Sequence, residues 1–309
     1  MERYDLAIIG AGPAGMSVAL NARNDSLNFV LYESQGEGWF PRVSVDSHYT
    51  VDNYLGFNSI SGTDLILRFK DHLCNNSVSA KISKVIDIIK MDDGFRIFSN
   101  DGSILADSII ICTGTKQKKL NAQGIDKFSG QSVFYYCVPD GKRFIGKKVF
   151  VVGGRNTGAV TALYLRDLGC DVEIIERDPQ LNCKEKYLRK IFEARIPYRT
   201  SSQIISLEGE EHLATISVKS PKGLEKLVAD GVFVCIGLVP NNDLAKKLGL
   251  NLNEDGYIKV DQNMATNIPG IYAAGDITGN LKQIIVAAAQ GSIAEYNANK
   301  FLREKWKRK

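Results

Sequence analysis

Six cysteines in 309 residues are too few and too scattered for a disulfide framework, and no two of them form a CxxC pair or a metal-ligand spacing. The three histidines, His48, His72 and His212, are likewise far apart. No apolar run approaches the roughly 18 residues that a membrane-spanning helix needs. The opening MERYDLAIIGAGPAG is too short in its apolar part and too rich in glycine for a secretory h-region, so the expectation is a cytoplasmic protein without a membrane partner. Charge of one sign is scarce too. Lys and Arg number 39 against 35 Asp and Glu, and a net +4 does not call for a nucleic-acid partner. What is present is ordinary: 44% hydrophobic and 24% charged residues, with 28 Gly and 8 Pro, which excludes disordered and collagen-like chains. At roughly 100–200 residues per domain, the length suggests two domains.

The informative feature is a pattern that occurs twice. DLAII (5–9) reads as a short strand, followed by Gly10-Ala11-Gly12-Pro13-Ala14-Gly15, a helical stretch, and a second strand FVLYE that ends at Glu33. A lone GxGxxG says little, but strand, turn, helix, strand and acid in this order form a dinucleotide fingerprint. The first glycine makes the turn, the second lets the backbone approach a diphosphate, and the third lets helix and strand pack closely. The diphosphate then faces the positive end of the helix dipole, and the acid accepts hydrogen bonds from a ribose diol. The pattern returns at 149–176, with Gly153-Gly154-Arg155-Asn156-Thr157-Gly158 as the turn and Glu176 as the acid. Glu33 follows Gly15 by 18 residues, and Glu176 follows Gly158 by the same 18. Each half continues into a β-rich stretch and then an apolar strand, SIIICTGT or GVFVCIGL, that runs into a glycine turn. Two nucleotide-binding domains in one chain suit the passage of electrons between two nucleotide cofactors.

These residues resemble the flavoproteins with two dinucleotide-binding domains, and among them the low-molecular-weight thioredoxin reductase family. GAGPAG with Glu33 is similar to that family's FAD site, and VDNYLGF with ISGTDLILRFKDHL (51–73) to the segment after it. YIKVDQNMATNIPGIYAAGDITG resembles the second FAD fingerprint, and KQIIVAAAQGSIAE (282–295) the helix beside the isoalloxazine. The resemblance implies an α/β chain of two Rossmann-like, three-layer β/β/α domains. In it a discontinuous FAD domain, 1–114 and 245–309, flanks an inserted NAD(P)-binding-like domain, 115–244. It further implies an FAD site at Gly10, Gly12, Pro13, Ala14, Gly15, Glu33, Ser34, Asn53, Gly114, Gly275, Asp276, Lys282, Gln283 and Ile284, with Asp276 on the ribityl chain. The NAD(P) site would comprise Gly153, Gly154, Arg155, Asn156, Thr157, Gly158, Glu176 and Arg177. Family habit implies a homodimer.

Two departures shape the functional expectation. Thioredoxin reductases carry a CxxC just before an Asp-Gly, because thiolate attack on a disulfide needs a nucleophilic and a resolving sulfur. Before Asp140-Gly141 the two positions read Tyr136 and Pro139, with the single Cys137 between them; the nearest other cysteines are Cys112 and Cys170. Reduction of thioredoxin by the dithiol route is therefore not expected. Cys137 is either a lone redox thiol near the flavin or a small packed side chain. The second departure is Arg155, which puts a side chain where the middle glycine leaves space for the diphosphate: either it abolishes binding, or the guanidinium grips the phosphates. After the second strand stand Glu176, Arg177 and Asp178, whose carboxylates favour a free ribose diol over a 2′-phosphate, hence NADH over NADPH.

Smaller features have two readings each. His48 is a surface-loop residue or a proton-transfer group near the flavin, which makes it, with Cys137, a catalytic candidate. Trp39 and Phe40 cap the flavin, face a partner, or pack. Lys116, Lys118 and Lys119, and the tail Arg303–Lys309, are solvated or steer an acidic carrier such as ferredoxin or flavodoxin. Cys112 and Cys235 are expected in apolar strands as inert core residues. The sum is an FAD oxidoreductase that passes electrons from NAD(P)H through FAD to a non-disulfide acceptor: ferredoxin, flavodoxin, a quinone or oxygen. Two alternatives remain open: a flavoprotein reduced by a protein carrier without NAD(P)H, and a non-catalytic FAD-binding paralogue.

Overall fold

The computed structural model describes residues 1–34, 50–135 and 138–307, with the side chains of 138 and 139 outside the description. His48, Trp39, Phe40, Tyr136, Cys137, the Pro139 side chain and the last two residues of the tail therefore lie outside the described residues. The chain forms two compact units, one of Met1–Lys116 with Val239–Lys309 and one of Gln117–Leu238.

The first unit is built on a seven-stranded sheet. Its parallel part runs Lys81–Ile82, Phe29–Glu33, Arg3–Ile9 and Gly102–Ile111, with Ile8 opposite Leu31 on one side and Ile110 on the other. Strands covered on both faces read as continuous apolar runs, which is why LAII and III show no alternation. One face packs Leu6, Ile8, Leu31 and Ile110 on Ala14, Val18 and Ala22 of the helix Pro13–Asn24 and on Ala294, Ala298 and Leu302 of the helix Ile284–Trp306. The other buries Ala7, Ile9, Tyr32, Ile109 and Ile111 against Phe95, Ile97 and Ile271. Gly102–Ile111 serves two layers. Its first half pairs antiparallel with Gly94–Ser99, which in turn pairs with Val85–Met91, and its last three residues pair parallel with Ile271–Ala273. That last strand comes from the far end of the sequence and closes the unit.

The second unit repeats the plan. Val133–Phe134, Gly231–Val234, Lys148–Val152, Asp171–Ile175 and Tyr198–Arg199 form a five-stranded parallel sheet. The helix Asn156–Asp167 packs Ala159, Ala162 and Leu165 on one face. A three-stranded antiparallel sheet, Gln203–Glu208, Thr215–Ser220 and Gly223–Val228, lines the other with Ile204, Ile216 and Val218.

Candidate functional site

In the first unit the glycines of the turn do different work. Gly10 has φ +107°, and a Cβ there would run into the carbonyl of Cys112. A Cβ at Gly15 would overlap the carbonyl oxygen of Gly10, so the helix Pro13–Asn24 touches the strand end with no room for a methyl group. Gly12 is unlike both: its φ of −71° suits any residue, and a Cβ there would meet nothing within 4 Å. Nothing among the described residues requires glycine at this position, so the space in front of it fits an external group brought close to the backbone. Gly12 caps the helix without a side-chain bond, Pro13 follows at the first helical position, and the first turn holds no acid. The free N–H groups there suit an anion. Glu33 is buried, and its two oxygens accept the N–H of Ala11 at 3.2 Å and of Ser34 at 2.8 Å, which holds the carboxylate against the turn.

The C-terminal segment meets the same turn. Gly275, at φ +81°, approaches Ala14 so closely that an added Cβ would stand 2.9 Å from the Ala14 Cβ, and a Cβ at Gly291 would collide with the Ala14 carbonyl. Gln290 holds this junction: its Oε1 accepts the Gly275 N–H at 2.8 Å and the Thr278 hydroxyl at 3.3 Å. The carboxylate of Asp276 next to it makes no hydrogen bond and no ion pair within 4 Å among the described residues. Burial pushes its carboxyl up, and Lys282 pulls it back down. A half-buried carboxyl left without a partner fits a hydroxyl-bearing ligand such as a ribityl chain. The Lys282 ammonium sits 4.6 Å from the Tyr257 ring centroid, and Gln283 caps the helix that starts at Ile284. Gly114, at φ +60°, faces open space, and Asn53 lies exposed on a bend. The fold thus gathers Gly10–Gly15, Glu33, Ser34, Gly275 and Asp276 around one turn.

The second unit reproduces the cradle. Gly153 has φ +113° and lies against the Cys235 carbonyl, while Gly158 lies against the carbonyl of Gly153. Glu176 accepts a short hydrogen bond from the Gly154 N–H and a second, at 2.9 Å, from the Asp178 N–H. The loop after it folds back on the turn: Asn182 N–H donates to the Gly154 carbonyl at 3.0 Å, and Lys184 N–H to Asn156 Oδ1 at 2.8 Å. Arg155, Asn156, Thr157 and Arg177 are exposed.

Cys112 and Cys235 are not within strands; each stands one residue past a strand end, at Ile111 and Val234, because its carbonyl must face the first glycine of a turn. Burial raises both thiols, Cys235 to about 11, so neither forms a thiolate near neutrality. His72 is exposed in a helix's last turn, and the described residues contain no His, Cys, Asp and Glu group that could hold a metal. No helix among them is long and apolar enough to cross a membrane. Gln290 is the functional position that the sequence pattern alone misses; its one signal is a polar side chain inside the apolar stretch of a helix.

Residues 4–291 match the pyridine nucleotide-disulphide oxidoreductase family. The chain belongs to that family. It is 34% identical over 306 residues to the 34.2 kDa protein in the rubredoxin operon of Clostridium pasteurianum, covering 97% of this chain and 98% of that one. It is 32% identical to the thioredoxin reductase of Listeria innocua, over 97% of this chain and 94% of the relative. Among solved structures, Lactococcus lactis thioredoxin reductase in its FR conformation superposes with a TM-score of 0.89 at 30% identity, covering 97% and 99% of the two chains. The chain is thus an α/β protein of thioredoxin reductase-like fold with two Rossmann-like units, in a family of FAD-dependent oxidoreductases.

Proposed function

We propose that the protein is an FAD-dependent oxidoreductase that takes electrons from a nicotinamide nucleotide, NADH in preference to NADPH, and passes them to an acceptor other than a disulfide. The carrying observation is the duplicated cradle: both turns keep two closely packed glycines and an acid tied to the turn by backbone N–H groups, while the second cysteine of a CxxC is missing from the sequence before Asp140-Gly141. When bound, FAD supplies a junction between two-electron and one-electron transfer. In the first unit Gly12 admits the diphosphate to the helix N–H groups, Glu33 accepts from the ribose, and Asp276 from the ribityl hydroxyls. In the second, Glu176 and Asp178 disfavour a 2′-phosphate by like charge. A protein electron carrier such as ferredoxin is the acceptor we favour; the rubredoxin-operon setting of the Clostridium pasteurianum relative supports a carrier of that kind. The protein would act in the cytoplasm as a homodimer.

The test is an anaerobic titration of the FAD-loaded protein with NADH and, separately, NADPH, followed by loss of oxidised flavin absorbance. Bleaching by NADH at lower concentration than NADPH is the expected result. No bleaching by either, with dithionite still reducing the flavin, would remove the nicotinamide from the reading and leave a carrier as donor.

A further inference from the structure

The two halves of this chain provide a control for one residue. Gly12 and Arg155 occupy the same place in their turns and have the same extended backbone, φ −71° and ψ −179° against φ −87° and ψ −176°. The Cβ of Arg155 therefore leaves the turn in the direction that is open in front of Gly12. We propose that Arg155 is a nucleotide-binding residue whose guanidinium binds the dinucleotide's diphosphate, replacing the close backbone approach that glycine permits in the first unit. The proposal rests on reading the second unit as a nucleotide site.

Charge carries the argument. Arg155 is exposed and makes no side-chain hydrogen bond or ion pair among the described residues. The acids that follow the next strand are engaged elsewhere: Glu176 accepts from Gly154 and Asp178 N–H groups, and the Asp178 carboxylate accepts the Asn182 amide at 3.2 Å. The first turn of Asn156–Asp167 contains no acid. Arg155 thus stands as a cation at the positive end of a helix, where a cation is disfavoured, and no ion pair among the described residues offsets it. Arg177, beside the same turn through Glu176, is a second exposed cation without such a partner. An anion from outside is what balances this arrangement. A plug that only filled the space would serve as well with an uncharged side chain. The planar fork of arginine matches two phosphate oxygens, and its length lets it reach around a diphosphate held one side-chain layer off the backbone. The two units would then read the same chemical group differently, the first through backbone N–H groups and the second through a charged side chain.

ADP-ribose separates this claim from the donor assignment, because it carries the diphosphate and ribose but no nicotinamide. Its binding to the FAD-loaded protein would be measured by calorimetry at low and high salt. Arg155→Ala should weaken ADP-ribose by about 10- to 100-fold, the range for loss of a charge-assisted contact. Arg155→Lys should recover part of the loss, since it keeps the charge and not the fork. The wild-type affinity should also fall more steeply with salt than that of Arg155→Ala. Equal or tighter binding by Arg155→Ala or Arg155→Gly would overturn the proposal, as would a wild-type protein that does not bind ADP-ribose. Binding of ADP-ribose that depends on Arg155, with a flavin that NADH cannot bleach, would overturn only the nicotinamide as donor and leave this role of Arg155 standing.

Discussion

Substituting alanine at two glycines three residues apart should separate the folding role of the first turn from its binding role. At Gly15 the added Cβ would stand 1.9 Å from the Gly10 carbonyl oxygen, which is backbone and cannot rotate away. An ordinary carbon–oxygen contact needs more than 3 Å, so the helix Pro13–Asn24 must move off the sheet by over an ångström and loosen its packing on Leu6, Ile8 and Ile110. Overpacking of that kind costs about 3 kcal/mol, or roughly 5 °C in Tm for a chain of this size. At Gly12 the same substitution meets no atom of the described residues within 4 Å and a backbone that alanine adopts freely. Loss of a good N-cap and gain from a stiffer unfolded chain nearly cancel, leaving apoprotein stability within about 0.5 kcal/mol. The methyl group would instead fall where the diphosphate meets the helix, and FAD affinity should drop about 10- to 100-fold, the equivalent of one charge-assisted hydrogen bond. Thermal melts of apoprotein and FAD titrations of both variants provide the assay. Gly12→Ala binding FAD as tightly as the wild type would refute the assignment of that open space, and an unchanged Tm for Gly15→Ala would refute the packing argument.

Asp276→Asn should reduce FAD affinity by about tenfold through loss of a charged acceptor while leaving the apoprotein melt unchanged; an unchanged affinity would remove Asp276 from the site. Glu33→Ala should destabilise the apoprotein by about 1–3 kcal/mol, because the Ala11 and Ser34 N–H groups lose their acceptor, and denaturant unfolding reads this directly. Glu295, 3% exposed on the helix Ile284–Trp306, has its carboxyl pushed up to about 7 by burial and by the charge of Asp25 at the end of the helix Pro13–Asn24, with Arg303 opposing. The folded chain then keeps a proton that the unfolded chain has released. Stability should fall as pH rises from about 4.5 to about 7 and level off above. Glu295→Gln should flatten that slope and add about 2 kcal/mol at pH 8, after allowance for solvent screening; a slope that persists in the variant would refute the assignment.

The local signals were legible because each is enforced within a few residues. A strand running into Gly10 or Gly153, a helix opening at Pro13 or Asn156, and an acid at the end of the next strand follow from backbone sterics and helix polarity, and all stand in the structure. The absence of a second cysteine near Cys137 is likewise a property of sequence alone. Which carboxylate oxygens remain open was not legible. Glu33 and Glu176 both read as wholly free carboxylates until the turns and the residues after them fold together and two N–H groups converge on each, which leaves only their remaining lone pairs for a ribose. The strand Ile271–Ala273 pairs with residues 162 positions earlier, and the contacts of Gly275 and Gly291 with Ala14 join residues more than 250 apart; no local pattern encodes such pairings. The same holds for Glu295, a charged residue in a helix that reads as solvated until the first helix covers it. The sequence by itself determined the family, the two turns and the missing dithiol, because these depend on short-range geometry and on residue identity. Only the tertiary structure decided which glycine has open space in front of it, how far each turn's acid is engaged and which cation has no counter-charge among the described residues. Those depend on which distant atoms fill the space around them.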